Sequence, residues 1–264
     1  MDKSAIIKGG SMKYFAKIKY LGTGFCGFQV QPDKRTVQGE LCMALEETLG
    51  VKCRVTGCSR TDSGVHANEF CITIDAPGAT VPADKLAIAS AKFLPEDISI
   101  FYAKECAESF HPRYDAEGKE YLYRIYNARV ADPFEVGRSW FLPRILDDAS
   151  LEKMRCAAKH LLGKHDFSAF MAAGSDATDT VRDVKYITIE KKESIIEIKI
   201  FADGFLYNMV RIIVGTLCEV GFGRFSENDV AQILELKERS RAGQTAAAEG
   251  LYLNHVKYNF PKLP

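Results

Sequence analysis

The sequence predicts an α+β fold in which two α/β lobes surround a largely antiparallel mixed sheet with a central cleft. Strand-like and helix-like segments alternate in both halves of the 264 residues, and several strand pairs have an antiparallel pattern. No low-complexity linker separates the halves. We therefore expect two closely packed lobes, an N-terminal one over residues 12–115 and a C-terminal one over 116–264. Residues 1–11, which end in Gly9-Gly10-Ser11, are expected to be a disordered or extraneous leader.

The N-terminal lobe begins with a clear strand pattern. From Lys13 to Tyr20, alternate positions carry Tyr, Ala, Ile and Tyr, and most of the positions between them carry Lys. A helix is predicted from about Val37 to Leu49, and Gly50 ends it. Pro82 suits the first turn of a second helix. The remaining predicted elements of this lobe are a strand over Phe70–Asp75, that helix over Pro82–Phe93 and a strand over Ile98–Ala103.

The C-terminal lobe repeats this order of strands and helices. Tyr121–Tyr126 alternates as a strand, and Ser150 can cap a helix that runs to Leu162 before Gly163. Ser226 with Asp229 resembles a capping box and predicts the start of a last helix. The other predicted elements are strands Val184–Glu190 and Ile195–Phe201 around a turn at Lys191–Glu193, a helix over Leu206–Val220 and a short strand over Leu251–Val256.

The bulk composition is that of a soluble globular protein. Hydrophobic residues make up 47% of the chain and charged residues 27%, and no apolar run approaches the ~20 residues of a membrane span. The first residues lack the basic-then-apolar pattern of a secretory signal, so we expect a cytoplasmic protein. The 35 basic residues balance the 35 acidic ones, which taken alone disfavours a nucleic-acid partner. This balance is weak evidence because charge can be concentrated on one face.

A basic and aromatic stretch occupies the middle third of the sequence. Two interpretations are equally compatible with it: amphipathic strands with a solvated basic face, or a surface that binds phosphates and stacks bases. The residues concerned are Arg113, Lys119, Arg124, Arg129, Arg138 and Arg144, with Tyr114, Tyr121, Tyr123 and Tyr126.

Cysteine and histidine positions predict no metal site. The eight cysteines form no C-x-x-C pair and are expected to be reduced, structural thiols. His160 and His165 are separated by Gly163, so they do not share a helical face. Gly22 to Gly27 read G-x-G-x-x-G after a strand, but Pro32 prevents the helix that a dinucleotide site needs. A glycine-rich turn at the cleft edge is the better interpretation.

The segment Ser59–Ala67, which reads SRTDSGVHA, contains the strongest candidate for a functional loop. Arg, Thr, Asp and His are packed densely here, and Gly64 can bend the backbone just before the apolar strand Phe70–Ile74. Such a cluster is more typical of a site than of a surface turn. Asp62 is its only carboxylate.

Arg211 stands in an almost wholly apolar helix, together with Asn208 and Gly215 on one face. A buried guanidinium needs an anionic partner or a ligand phosphate. From the sequence, a structural ion pair with any acidic residue and a pair with Asp62 across the cleft both remain open.

Five ordered blocks of the chain, from Lys13 onward, resemble the tRNA pseudouridine synthase A (TruA) family. SRTDSGVHA resembles that family's GRTDAGVHA signature. The other blocks are YLGTGFCGFQ at 20–29, FHPRYDA at 110–116 followed by KEYLY at 119–123, NMVRIIVG at 208–215 and AGQTAAAEGLYL at 242–253. The resemblance implies the pseudouridine synthase fold, with its active site in the central cleft.

The resemblance also implies roles for individual residues. Asp62 corresponds to the catalytic nucleophile, Tyr121 to a tyrosine that stacks on the target base and acts in proton transfer, and Arg211 to the arginine paired with the carboxylate. Arg60 corresponds to an arginine that holds the flipped-out nucleotide. His66 and Arg113 are further expected substrate contacts. The implied activity is conversion of uridine to pseudouridine in the anticodon stem-loop of tRNA by a homodimer without a cofactor.

The chain departs from the family pattern at several positions. Ser59 and Ser63 stand where Gly and Ala are usual, Leu21 where Asp is usual, Phe28 where Trp is usual and Gln244 where Pro is usual. An alternative is therefore a catalytically inactive or divergent RNA-binding paralogue that acts on other RNA sites. A carboxylate glycosidase is a weaker third possibility, because it requires a second acid ~5–10 Å away and none stands out near Asp62.

Overall fold

A computed structural model of the protein describes residues 12–175 and 177–259, and the leader expected at residues 1–11 lies outside them. The described chain forms a ten-stranded sheet. Its strands are β1 (Lys13–Tyr20), β2 (Arg54–Gly57), β3 (His66–Asp75), β4 (Ile98–Glu105), β5 (Ala116–Tyr126), β6 (Trp140–Phe141), β7 (Gly163–Asp166), β8 (Val181–Lys192), β9 (Ile195–Ala202) and β10 (Leu251–Tyr258). The helices are α1 (Val37–Leu49), α2 (Ala83–Ser90), α3 (Asp148–Ala158), α4 (Met209–Gly221) and α5 (Asp229–Leu236).

The strand order of the sheet is β4-β1-β3-β10-β5-β9-β8-β7, with β2 on β3 and β6 on β5. Most neighbours are antiparallel, whereas β10 is parallel to β3 and antiparallel to β5. The predicted α+β fold with a largely antiparallel mixed sheet is therefore confirmed. Strands from the two halves of the sequence meet through β10, which comes last among the described elements and lies in the middle of the sheet.

The helices cover the sheet in two groups. α1 and α2 contact each other, and α2 packs on β4; α3 contacts both α4 and α5 and also packs on β8. α4 is buried along nearly its whole length, as its apolar sequence requires. No helix within the described residues combines the length and apolarity needed to cross a membrane.

Several predicted boundaries need correction. α2 ends at Ser90, before the predicted Phe93, and Pro82 is its N-cap, not its first helical residue. Asp147, not Ser150, caps α3: its carboxylate accepts the backbone N–H of Ser150 at 2.8 Å. Asp and Ser are both favourable N-cap residues, and here the carboxylate of Asp147, three positions before Ser150, accepts the backbone hydrogen bond.

Two further expectations shift by a few residues. β8 continues through Lys192, so the turn lies at Glu193 and not over Lys191–Glu193. Asn228 is the N-cap of α5, but the backbone N–H of Ser226 does donate to the Asp229 carboxylate at 2.6 Å, which is one half of the predicted capping box.

Candidate active site

The Asp62 loop, residues 58–65, connects β2 to β3 and rests on the glycine-rich turn. A Cβ added to Gly22 would lie 2.0 Å from the carbonyl oxygen of Val65, and one added to Gly27 would lie 2.8 Å from that of Thr61. Glycine alone allows this approach. The segment after Gly22 is a single 3₁₀ turn with no helix of a dinucleotide site behind it. These glycines therefore support the Asp62 loop.

His66 lies behind the same loop and is fully buried. Its Nδ1 accepts the backbone N–H of Gly22 at 2.9 Å, so Nε2 carries the proton and donates to the carbonyl of Glu249 at 3.1 Å. The ring stacks on Tyr252 with centroids 4.5 Å apart, and burial lowers the pKa of His66 to about 4. The structure does not bring His66, an expected substrate contact, to the cavity; it positions the loop.

Asp62 is half-buried and lines a cavity of about 500 Å³. Among the described residues, no side chain or backbone N–H donates a hydrogen bond to its carboxylate. Burial raises the pKa of Asp62, and the positive charge of Arg211 opposes that rise. The carboxylate oxygens are thus available to a bound molecule while a cation favours their ionised form.

Arg211 is held at the start of α4 by two short hydrogen bonds. Its Nε donates to the carbonyl of Ala246 at 2.7 Å, and its Nη1 donates to Oδ1 of Asn208 at 2.7 Å. No guanidinium nitrogen comes within 4.0 Å of an Asp62 oxygen, so the two do not form a direct ion pair. Arg211 instead acts on Asp62 at a longer distance, through the positive charge that opposes the rise in its pKa.

The segment that binds Arg211 crosses α4 at very short range. A Cβ added to Gly215 would lie 1.8 Å from the carbonyl oxygen of Gln244, so only glycine fits at this crossing. The backbone N–H of Ala246 also donates to the carbonyl of Arg211 at 3.1 Å. The position of Arg211 therefore depends on this close contact between the helix and residues 242–246.

Tyr121 projects from β5 into the same cavity and is nearly fully buried. Its hydroxyl lies 3.3 Å from the Ser59 hydroxyl, and its ring meets Phe205 edge-on with centroids 5.0 Å apart. Burial raises the pKa of Tyr121 well above the usual value for a phenol. At neutral pH the group is a protonated phenol, which can donate a hydrogen bond but is poorly suited to accept a proton.

Four cationic side chains, Arg60, Arg113, Lys119 and Arg182, also line this cavity, and Asp62 is the only carboxylate among its described lining residues. Lys119 shares a strand face with Tyr121, two positions away. Burial lowers the pKa of Lys119, and its ammonium has no ion-pair partner among the described residues. The sequence pattern identifies Lys119 only as part of the basic stretch. Because residues two apart on a strand lie on the same face, the position of Tyr121 could also have assigned Lys119 to the site.

The rest of the basic stretch is not uniformly available. Arg124 lies within 3.3 Å of the Glu135 carboxylate and 4.0 Å of the Glu197 carboxylate. Of the stretch, only Arg113 and Lys119 are cations that line the cavity.

The part of the chain that the structure describes contains no group of three or more His, Cys, Asp or Glu side chains that could hold a metal ion. All eight cysteines are free thiols. Burial raises the pKa of Cys58 to about 11, which makes it unreactive near neutral pH.

The substituted positions around the loop are accommodated locally. Phe28 is buried and stacks on Phe70 with centroids 4.3 Å apart. The Ser63 hydroxyl donates to the carbonyl of Phe25 at 3.1 Å. Leu21 is 39% exposed. With these residues in place, Asp62 still lines the cavity.

Comparison with known proteins gives a consistent result. The model of the family described as tRNA pseudouridine synthase matches residues 16–115 and 157–259, which include Asp62 and Arg211. The chain is 44% identical to tRNA pseudouridine synthase A of Thermoanaerobacter sp. strain X514 over 241 residues, 91% of this chain and 97% of that protein. It is 43% identical to tRNA pseudouridine synthase A of Acetivibrio thermocellus over 242 residues, again 91% and 97%. Identity to tRNA pseudouridine synthase A of Lactobacillus helveticus is 42% over 250 residues, 94% of each chain.

Proposed function

The chain belongs to the tRNA pseudouridine synthase family, and we infer that it isomerises uridine to pseudouridine in tRNA with Asp62 as the nucleophile. One observation carries the assignment of Asp62. It is the single described carboxylate in a cavity that is also lined by four cationic side chains and the ring of Tyr121.

The reaction requires few groups from the protein. The N1–C1′ bond of uridine breaks, a C5–C1′ bond forms, and a proton leaves C5 while one is added at N1. Atoms and electrons balance within the nucleoside, so neither an oxidant nor a cofactor is needed. A single ionised carboxylate can form the transient adduct that lets the base reorient, at the base or at the ribose.

The remaining cavity residues suit the binding of a flipped-out nucleotide. Removing the base from its stack costs a few kcal/mol. Stacking on an aromatic side chain such as Tyr121 contributes about 1–3 kcal/mol and offsets that cost. Arg60, Arg113 and Lys119 can neutralise the phosphates of the same strand.

The test compares Asp62→Asn with Asp148→Asn, which removes an exposed carboxylate at the first turn of α3. Pseudouridine is quantified chromatographically in digested tRNA transcripts. We expect Asp62→Asn to reduce the rate at least about 10³-fold and Asp148→Asn to leave it unchanged. Wild-type product levels from Asp62→Asn would exclude Asp62 as nucleophile, and absence of product from the wild-type protein would refute the activity itself.

We also propose that the modified uridines lie in the anticodon stem-loop and that the protein acts as a homodimer in the cytoplasm. One chain offers a limited surface for a whole tRNA, which favours a dimer. Mapping pseudouridines in total RNA from a deletion strain identifies the sites. Light scattering that detects only monomer at working concentration would refute the dimer.

A further inference from the structure

A second cavity of about 410 Å³ adjoins the catalytic cavity. The two cavities share three lining residues, Ser59, Arg60 and Arg113. Two of the three, Arg60 and Arg113, carry guanidinium groups, so the boundary between the cavities is cationic. The volume lies within the range of pockets that hold small organic ligands.

The walls of this neighbouring cavity are strongly cationic. Arg54, Arg60 and Arg113 line it, and no Asp or Glu is present among its described lining residues. None of the three arginines forms an ion pair with a described carboxylate. In a chain with equal numbers of acidic and basic residues, this is a local separation of charge. Three uncompensated guanidinium groups favour a phosphodiester over a neutral or cationic ligand.

An exposed aromatic ring stands at the edge of the neighbouring cavity on a fixed turn. Tyr114 is 77% exposed, and its ring lies 4.3 Å from that of His111. The backbone N–H of His111 donates to the Asp115 carboxylate at 2.8 Å, and the Tyr258 hydroxyl donates to the carbonyl of Pro112 at 2.7 Å. These bonds hold the backbone of the turn, so a base that stacks on Tyr114 does not have to order that segment first.

Polar groups complete the cavity. The Gln38 side chain is fixed because it accepts the backbone N–H of Val30 at 2.9 Å and donates to the carbonyl of Val55 at 2.8 Å. The side chains of Gln29 and Thr56 have no hydrogen-bond partner among the described residues and are available to the edge of a base.

We propose that the neighbouring cavity is a second nucleotide subsite of the RNA substrate. It takes the base of a nucleotide adjacent to the target uridine against Tyr114, and the intervening phosphate lies between Arg60 and Arg113. Arg54 meets the next phosphate outward. This subsite rests on the proposed function, because it requires a target uridine in the catalytic cavity.

The first test removes one base from the RNA. Synthetic stem-loops from a substrate tRNA carry an abasic nucleotide immediately 5′ or 3′ of the target uridine. With Tyr114 intact, an abasic nucleotide on one side should weaken binding about 5- to 150-fold, the equivalent of 1–3 kcal/mol of base–aromatic stacking. Affinity is measured in the Asp62→Asn background so that the RNA is not converted.

The second test removes the ring. Tyr114→Ala should weaken binding to the intact stem-loop by a similar factor, whereas Tyr114→Phe should not. On the abasic RNA that the protein with Tyr114 binds more weakly, Tyr114→Ala should cause no further loss of affinity. Phe134→Ala, which removes another highly exposed ring, is the matched control and should bind as wild type. If the losses of affinity caused by Tyr114→Ala and by the abasic nucleotide add up, whether that nucleotide is 5′ or 3′ of the target uridine, the subsite is refuted.

The third test concerns the phosphate. Arg54→Gln should reduce the slope of log affinity against log salt by about 0.7, as expected for one contact to a single strand. Lys164→Gln, an exposed cation on the edge strand β7, should leave the slope unchanged. Equal slopes for both variants would overturn the phosphate contact. Wild-type protein that forms no pseudouridine in the intact stem-loop would instead refute the proposed function, so the two failures are distinguishable.

Discussion

The charge of Asp62 is set by two opposing influences. Burial raises its pKa and the Arg211 guanidinium limits the rise. A nucleophilic carboxylate must be ionised, so kcat/KM should fall as the pH drops through this raised pKa. The field of Arg211, and not a direct ion pair, then decides where the acidic limb of the pH profile lies.

Replacing Arg211 should therefore move that limb. Arg211→Gln removes the positive charge, raises the pKa of Asp62 further and should shift the acidic limb of kcat/KM to higher pH. Arg211→Lys keeps a positive charge and should leave the limb closer to that of the wild type. The measurement is the pH dependence of kcat/KM on tRNA transcripts. An unchanged limb in Arg211→Gln would exclude the electrostatic role.

The same pKa shift predicts a stability effect. Because the folded-state pKa of Asp62 is raised above the unfolded value of about 3.9, ionised Asp62 destabilises the fold above its folded-state pKa. Asp62→Asn should raise Tm at neutral pH, and the gain should shrink as the pH falls toward the unfolded value. Thermal unfolding across pH measures it. Asp148→Asn, at an exposed helix start, should show no such gain.

The ring and the hydroxyl of Tyr121 can be separated by substitution. Tyr121→Phe keeps the stacking surface, so tRNA affinity should remain near that of the wild type, whereas Tyr121→Leu should weaken it about 5- to 150-fold. If the protonated phenol donates to the base during the reaction, Tyr121→Phe also lowers kcat. Binding and single-turnover rates distinguish the two effects. Equal affinities for Phe and Leu variants would refute stacking.

At the scale of elements, the crossing of α4 by residues 242–246 links helix packing to catalysis. In a helix, Gly→Ala ordinarily stabilises by about 0.5–1 kcal/mol. At Gly215 the new Cβ would lie 1.8 Å from the Gln244 carbonyl oxygen, and relieving such overlap costs about 1–3 kcal/mol. We expect Gly215→Ala to lower both stability and kcat/KM because Ala246, which binds Arg211, is displaced. Denaturant unfolding combined with kinetics checks this; a stabilised, fully active variant would contradict it.

The sequence predicts best the elements whose ends are encoded locally. α1 has the predicted bounds because Thr36 caps it and Gly50 ends it with a positive φ of 68°. β2 is not predicted from the sequence, because its four residues are too few to show an alternation of apolar and polar side chains. They form a strand by pairing with β3. The cap of α3 was assigned wrongly because two suitable residues compete for it.

The candidate site also combines features that the local sequence predicts with features that depend on tertiary contacts. The Asp62 loop is visible in the sequence because its residues are contiguous. His66 belongs to that run, yet its partners Glu249 and Tyr252 are far away in the chain, and they make it a buried support. The Arg54 side of the neighbouring cavity is equally invisible, since β2, the 111–115 turn and the Asp62 loop meet only in the fold.

At the scale of the whole molecule, a net charge of zero conceals a strongly segregated surface. Four arginines and Lys119 line the two adjoining cavities, and Asp62 is the one carboxylate among their described lining residues. Affinity for tRNA should therefore depend on salt as it does for a basic protein. If three arginines each contact one phosphate, and each contact contributes about −0.7, the slope of log affinity against log salt concentration should be about −2. Fluorescence anisotropy between ~50 and ~200 mM salt measures it. A slope near zero would contradict the charge segregation.

The position of β10 has a consequence for biosynthesis. A nascent chain that has not yet reached residue 258 can pair β1, β3 and β4, and separately β5, β8 and β9, but the gap between β3 and β5 remains open. The loop that carries Asp62 and the strand that carries Tyr121 thus come together only after β10 has been made. Ribosome-arrested chains that stop before Leu251 should leave both sheet edges unpaired, exposed to chaperones and without activity.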